Sequence, residues 1–179
     1  MPSASGLVNV VLTVLMWTAG CQASPLRAVC DPRVLERFLR EARDTEAAMR
    51  SCGGSCGVMG VYTVPVTNVD FTDWEQKDAE GQVAEVQAGL SLVVQALQAV
   101  RETVSSSPLS GLLDNNISNI HSLIHIIHSL SSQARPSAHP GPLARTQTHS
   151  PSELLHVQTN FLRGKVKLLL SAACRTLGS

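Results

Sequence analysis

The sequence predicts an all-α protein, a long-chain four-helix bundle with up-up-down-down topology and two long crossover loops. Three observations support this prediction: four amphipathic stretches, two long segments between them, and an aromatic content of only 3%. Apolar residues that recur every three or four positions form one stripe along a helix, and this stripe must be buried against other helices. Because aromatic residues are scarce, the core is expected to be aliphatic.

Residues 1–23 are predicted to form a secretory signal peptide. Leu7 to Trp17 is an almost unbroken apolar run that carries no charge and is too short to span a bilayer. The small residues Cys21 and Ala23 lie three and one positions before Ser24, which suits cleavage by signal peptidase. We therefore expect residues 24–179 to be secreted as one mature domain. A buried N-terminal helix of the mature fold is the alternative, but no polar face interrupts the run.

The first helix is predicted from about Pro32 to Arg50. Asp31 is a good N-cap, and Pro32 suits the first helical position. Its stripe consists of Val34, Leu35, Phe38, Leu39, Ala42 and Met49. The second helix is predicted between Asp78 and Val104. Its stripe consists of Val83, Val86, Leu90, Val93, Val94, Leu97, Val100 and Val104.

The third helix is predicted to begin after Pro108 and Gly111, which are expected to break the chain. Its stripe consists of Leu113, Ile117, Ile120, Leu123, Ile124, Ile127 and Leu130. The fourth helix is predicted to begin at a capping box of Ser150 and Glu153 and to end near Cys174. Its stripe consists of Leu155, Leu162, Val166, Leu169 and Ala173.

The lengths of the connections predict the topology. Segments 51–77 and 131–149 are long, whereas the second and third helices are joined by a short link and must be antiparallel. About twenty extended residues reach roughly 60 Å, and a helix of that length spans only about 30 Å. Each long segment, here called the first and the second crossover, can therefore pass over the whole bundle, as in cytokines. A bundle with long but inert loops is the alternative.

Cysteines are expected to form two disulfides in the secreted chain. Once Cys21 leaves with the signal peptide, four remain: Cys30, Cys52, Cys56 and Cys174. In the predicted topology the first helix starts at the end of the bundle where the fourth helix finishes, which favours a Cys30–Cys174 bridge. Cys52 and Cys56 then close a small ring whose two glycines supply backbone freedom. Metal binding by this Cys-x3-Cys pair is the alternative, although no further ligand set accompanies it.

Composition and motifs argue against several other functions. The formal net charge is zero, with acids concentrated in residues 70–85 and cations in residues 163–175, which suggests complementary protein surfaces. Aromatic platforms for bases are lacking, so no nucleic-acid partner is expected, and neither is membrane insertion of the mature chain. No nucleophile or acid–base motif is present, so we expect no enzymatic activity and no cofactor. A helical carrier is an alternative that requires an internal pocket of roughly 300 Å³ or more.

Three histidines follow one helical face at positions 121, 125 and 128. Such spacing could place transition-metal ligands together if further ligands came near. No acidic residue adjoins them as in the His-Glu-x-x-His motif, so we predict a polar stripe and no metal.

Several stretches occur in an order that resembles the erythropoietin/thrombopoietin family of helical cytokines: 30–38, 52–56, 63–65 with 69–71 and Trp74, and 160–168 with 173–176. The resemblance covers essentially the whole mature chain. It implies a monomeric, secreted glycoprotein hormone that joins two copies of a class I cytokine receptor, the erythropoietin receptor, and promotes erythroid proliferation and differentiation. A thrombopoietin-like factor is the alternative, and the small cysteine ring argues against it.

The family's tighter receptor contact, here called the first face, uses the first crossover with the first and fourth helices. The resemblance places it on Arg43, Thr67, Asn68, Val69, Asp70, Phe71, Asn160, Arg163 and Gly164. Phe71 is an aromatic anchor in a loop, and Arg163 offers a planar fork for carboxylates, both typical of binding hot spots. Core packing of Phe71 and a solvated charge at Arg163 are the alternatives.

The weaker contact, here called the second face, uses the first and third helices. The resemblance places it on Arg33, Val34, Arg37, Phe38, Ser118, His121 and Ser122. Where mammalian members carry an arginine, this chain has His121, which is mostly neutral near pH 7 and cannot make the same charged contact. Asn68 likewise stands where a lysine is expected. The chain is therefore expected to be a distant, non-mammalian member.

One glycosylation sequon is present in the sequence, Asn116-Ile117-Ser118. It predicts a glycan on Asn116, near the start of the third helix.

Overall fold

The computed structural model describes residues 28–52, 60–131 and 143–177. The predicted signal peptide, Cys56 and most of the second crossover lie outside these ranges. The elements are α1 (Pro32–Cys52), β1 (Tyr62–Pro65), α2 (Phe71–Gln76), α3 (Ala79–Thr103), α4 (Ser107–Ser131), β2 (Arg145–Thr148), α5 (Pro151–Phe161) and α6 (Lys167–Leu177). A π-helical turn, Leu162–Val166, joins α5 to α6, and residues 151–177 are called the fourth helix.

The fourth helix begins with half of the predicted capping box. The hydroxyl of Ser150 accepts a hydrogen bond from the Glu153 backbone N–H at 3.2 Å. The carboxylate of Glu153 accepts the hydroxyl of Thr148 at 2.6 Å. This contact ties the end of β2 to the first turn of α5, so the cap also anchors the second crossover.

The prediction for the third helix was wrong at its start, because α4 begins at Ser107 and not near Leu113. Proline is tolerated in a first helical turn, where its missing N–H would have no intrahelical partner. Pro108 therefore starts the helix instead of breaking it. Gly111 lies inside α4 and does not break the helix. A Cβ atom on it would have no atom within 4 Å beyond the helix's own backbone.

Contacts between the helices give the up-up-down-down topology. Along α1, Glu41 and Thr45 contact Asn119 and Asn116 of α4 in reverse order, so these two helices are antiparallel. The fourth helix is antiparallel to α1, since Cys30 is disulfide-bonded to Cys174 while Glu46 lies 3.6 Å from His156. Helix α3 is joined to α4 by only three residues, 104–106, and runs back along it. The predicted fold class is confirmed.

The two crossovers pair with each other in a small antiparallel sheet that the sequence did not predict. Tyr62 of β1 is opposite Thr148 of β2, and Pro65 is opposite Arg145. Val66 extends the ladder by donating its N–H to the Ala144 carbonyl at 3.0 Å. Tyr62 and Val64 are buried against the bundle, so the crossovers form a paired strap over α3.

The core is aliphatic, as predicted, with Phe161 as its largest fully buried side chain. Helix α3 is long and apolar enough to cross a membrane by length and composition alone. It is the central helix of this core, however, and Leu90, Val93 and Leu97 have no exposed surface. Its apolar character is therefore accounted for by burial within the bundle.

Gly89 allows α3 to approach the fourth helix closely. A Cβ atom at this position would lie 2.2 Å from Cζ of the buried Phe161. We expect Gly89→Ala to lower the free energy of unfolding by about 1–3 kcal/mol, because overpacking outweighs the better helix propensity of alanine. Urea unfolding measures the change. Gly111→Ala is the matched control, expected to add up to about 1 kcal/mol. Equal effects of the two substitutions would contradict the close approach.

Candidate functional site

The first crossover is fastened to the fourth helix by a buried lysine. Lys165 is 6% exposed, and its Nζ donates to the Val66 carbonyl at 3.1 Å and to Glu85 Oε1 at 2.6 Å. One ammonium group thus connects the fourth helix, the crossover backbone just before Thr67, and helix α3. Lys165 lies in a stretch that carries the family resemblance, but it was not predicted to be a site residue.

Glu85 is the centre of a small charge cluster. Lys77 lies 3.0 Å from Glu85 Oε2 and also contacts Asp73 of α2. Burial alone would raise the pKa of the Glu85 carboxyl, but hydrogen bonds from Lys165 and Lys77 outweigh it and hold that pKa below its ordinary value. The hydrogen bond to Asp73 raises the pKa of Lys77. Lys77 therefore stays charged beside an ionised Glu85 at neutral pH.

The π-helical turn presents three consecutive residues in different directions, two predicted site residues and the buried lysine. Arg163 is exposed, Gly164 is half-buried and Lys165 is buried. A Cβ atom on Gly164 would lie 3.4 Å from Cγ2 of Val69 and 3.6 Å from the Thr67 carbonyl. Glycine therefore lets the crossover pass close to the helix. Single π turns inside α-helices occur frequently at functional sites, which agrees with the position of this one.

The first face combines exposed and half-buried residues. Arg43, Asn68, Asp70, Phe71 and Arg163 are exposed, whereas Thr67, Val69, Asn160 and Gly164 are half-buried. Phe71 is 60% exposed, which favours a binding anchor over core packing.

Asp70 has a local structural task within the first face. Its Oδ1 accepts the backbone N–H groups of Thr72 at 2.9 Å and Asp73 at 3.2 Å, which caps the short helix α2. The cap fixes the backbone at the position where Phe71 projects into solvent. Asp70 can therefore support the face without contacting a partner itself.

Arg43 joins the first face from helix α1. The Glu46–His156 contact and the Cys30–Cys174 bridge set a nearly constant register between α1 and the fourth helix. In this register Arg43 lies level with Asn160, one turn from Arg163. The four predicted first-face residues on these helices, Arg43, Asn160, Arg163 and Gly164, thus lie at a similar level along the bundle.

The second face lies on the other side of α1, along its contact with α4. Asn119 Nδ2 donates to Glu41 Oε2 at 2.5 Å, and the same Glu41 lies 3.7 Å from Arg37 Nε. The exposed members are Arg33, Arg37, Ser118, His121 and Ser122, and Val34 is half-buried. Arg40 is also exposed, on the same helical face as Arg33 and Arg37. Arg40 was not among the predicted residues, although it follows Arg33 by seven positions, a spacing that puts both residues on one face of a helix.

Phe38 corrects the predicted second face. Its side chain is 5% exposed and belongs to the core, with the Arg37 guanidinium 5.3 Å above its ring. Phe38 can therefore position Arg37 but offers no surface of its own.

Asn116 corrects the predicted glycan site. Its side chain has no exposed surface, because it faces Thr45 of α1 and Gln158 of α5 inside the bundle. The nitrogen to which an N-glycan would be joined, Nδ2, therefore lies inside the bundle.

The predicted Cys30–Cys174 disulfide is present, with its Cα atoms 5.6 Å apart. Cys52 is also disulfide-bonded, and its predicted partner Cys56 lies outside the described residues. Within the described ranges no group of three or more His, Cys, Asp or Glu side chains could hold a metal ion. A surface depression of about 240 Å³ lies at one end of the bundle, lined by Ala48, Ser51, Cys52, Ser106, Pro108, Leu109 and Leu112. It is smaller than the pocket that a carrier requires.

Known proteins resemble this chain over nearly its whole length. The family model described as erythropoietin/thrombopoietin matches residues 27–177. The chain is 44% identical to an erythropoietin of Epinephelus coioides over 174 residues, covering 95% of this chain and 94% of the relative. It is 43% identical to an erythropoietin of Danio rerio over 175 residues, covering 96% of each. With an erythropoietin of Equus caballus the identity is 34% over 177 residues, covering 92% of each.

Proposed function

Because the chain belongs to the erythropoietin/thrombopoietin family of helical cytokines, we propose that it is a secreted hormone that joins two erythropoietin receptors and promotes erythroid proliferation and differentiation. It is a cytokine and not an enzyme. The higher identity to fish relatives than to the horse relative agrees with a non-mammalian member.

The observation that carries the proposal is the pair of exposed faces on the two sides of helix α1. Glu41 contacts α4 on one side, and Glu46 contacts the fourth helix on the other. The first face has a rigid scaffold, an exposed aromatic and an exposed arginine, which are typical of a tight interface. The second face is polar, with serine, histidine and arginine side chains, which suits a weaker contact. One chain with two unlike faces can bind two copies of one receptor in sequence.

Secretion is supported by the disulfides. Cys30 and Cys174 are bonded across almost the whole described chain, and such bridges persist in oxidising compartments. Removal of residues 1–23 is part of the same proposal.

Substitution on the two faces should give different defects. Arg163→Ala is expected to weaken binding of the first receptor at least about 30-fold, as for a hot-spot arginine. His121→Ala is expected to leave the one-to-one complex intact while reducing the two-to-one complex and signalling. The measurement is titration of the oxidised chain with the soluble receptor of its own species, read by affinity and by the mass of the complex.

Arg101→Ala is the control, since this cation pairs with Asp114 near the α3–α4 link and belongs to neither face. Two receptors per chain and the two distinct defects would support the proposal. Normal binding and signalling by both variants would overturn the assigned faces, and no binding by the unmodified chain would overturn the receptor.

A further inference from the structure

Three polar side chains meet inside the bundle, one from each of three helices. Thr45 of α1 and Asn116 of α4 have no exposed surface, and Gln158 of α5 is 1% exposed. Asn116 Nδ2 donates to Thr45 Oγ1 at 2.8 Å, and Gln158 Nε2 donates to Asn116 Oδ1 at 2.8 Å. This set of three residues is called the polar junction.

Asn116 uses its whole side-chain amide in the junction. The second hydrogen of Nδ2 is donated to the Leu112 carbonyl at 2.9 Å, one turn earlier in α4. Thr45 accepts from Asn116 while its own hydroxyl donates to the Glu41 carbonyl at 2.8 Å. Both hydrogens of the amide nitrogen are therefore engaged, and its oxygen has a donor.

The same nitrogen is the atom to which an N-glycan would be joined. A sugar on Nδ2 would replace a hydrogen that bonds within the core, and it would have to occupy space filled by α1 and α5. Ser118, the third residue of the sequon, is exposed on a different face of α4, because residues two apart on a helix do not face each other. Helical folding thus separates the two sequon side chains and buries the acceptor.

We propose that the folded chain carries no N-glycan at Asn116, and that this residue instead fixes the relative positions of α1, α4 and α5. Helices α1 and α4 carry the second face, and α1 and α5 contribute Arg43 and Asn160 to the first face, so the junction sets the spacing between the faces. Gln158 Oε1 is buried without a hydrogen-bond partner among the described atoms, which is a cost that an apolar core would avoid. In coiled coils, a buried polar group can lower stability and still specify the helix register, because it disfavours other packing arrangements of the helices.

The first test is the mass of the folded, monomeric chain secreted by eukaryotic cells, before and after treatment with peptide N-glycosidase F. Wild type and Ser118→Ala, which destroys the sequon but keeps Asn116, are both expected to show no change. Thr103→Asn is the positive control, because it creates a sequon with Val104 and Ser105 at the exposed end of α3. A mass loss in folded wild type would overturn the proposal.

The second test concerns the structural role. Asn116→Leu keeps the branching and the number of side-chain heavy atoms but leaves Thr45 and Gln158 without their partner, and it is expected to lower the Tm by more than about 5 °C. Thr45→Val, which removes one hydroxyl at constant shape, is expected to give a smaller fall, and Ser118→Ala none. If Asn116→Leu kept the wild-type Tm, the positioning role would be refuted, whatever the glycan measurement shows.

Discussion

Lys165→Met is expected to reduce binding at the first face by at least about 100-fold and to destabilise the chain by about 1.5–3 kcal/mol, since it removes the hydrogen bonds to Glu85 and Val66 and leaves Glu85 with Lys77 alone. Methionine keeps the length of the side chain but cannot donate to Glu85 or to the Val66 carbonyl. The crossover then loses its attachment just before Thr67. Receptor titration and urea unfolding measure the two effects.

Lys167→Met is the matched control, because Lys167 has the same chemistry two residues further along and is exposed. It is expected to leave both measurements nearly unchanged. An Arg163→Ala defect combined with wild-type behaviour of Lys165→Met would show that the crossover is held by other contacts.

The free energy of unfolding, measured as a function of pH in the acid range, offers a second test of the cluster around Glu85. The pKa of Glu85 is lowered in the folded chain, so its stabilising contribution is present above the unfolded pKa and is lost as pH falls through the folded pKa. The difference in stability between wild type and Lys165→Met should therefore shrink below about pH 4.

Replacement of Cys30 and Cys174 together by serine is expected to lower the free energy of unfolding by about 5 kcal/mol in the chain-entropy model. The bridge joins residues 144 positions apart, so it restricts nearly all of the unfolded chain. Domains of this size are stable by only about 5–15 kcal/mol, so the loss takes up much of the total. Urea unfolding followed by circular dichroism measures it.

Replacement of Cys52 and Cys56 by serine is the comparison for this prediction. The predicted small ring restricts few residues, so the same model gives a loss of only about 2 kcal/mol. If the small ring contributed more than the long bridge, loop entropy would not be the main source of the stabilisation.

The four helices were predictable because each has a local signal, an apolar stripe, and because Asp31 and the Ser150–Glu153 capping box mark the starts of the first and the fourth. The β1–β2 pairing was not, since Tyr62–Pro65 and Arg145–Thr148 carry no strong strand pattern and are far apart in sequence. The start of α4 was misplaced because Pro108 and Gly111 usually end a helix, whereas here the proline lies in the first turn.

Long-range pairing also explains two residues whose burial the sequence did not predict. Lys165 has the pattern of a surface cation, and its burial depends on Glu85, which lies 80 residues earlier. Asn116 has the pattern of a glycan acceptor, and its burial depends on partners 71 and 42 residues away. The receptor-binding assignments came from family resemblance, because physical pattern alone marks only Phe71 and Arg163.

The Cys30–Cys174 bridge holds the start of the first helix and the last turns of the fourth helix together at one end of the bundle, with the two Cα atoms 5.6 Å apart. The chain from Cys30 to Cys174 is therefore closed into a ring by the disulfide, and the same fold could be formed by a chain that is opened at another loop. A circular permutant can join residues 30 and 174 by a short peptide and open at the link 104–106, with every helix kept in place. Such a hormone would hold its ends together by a peptide bond and would remain closed under reducing conditions.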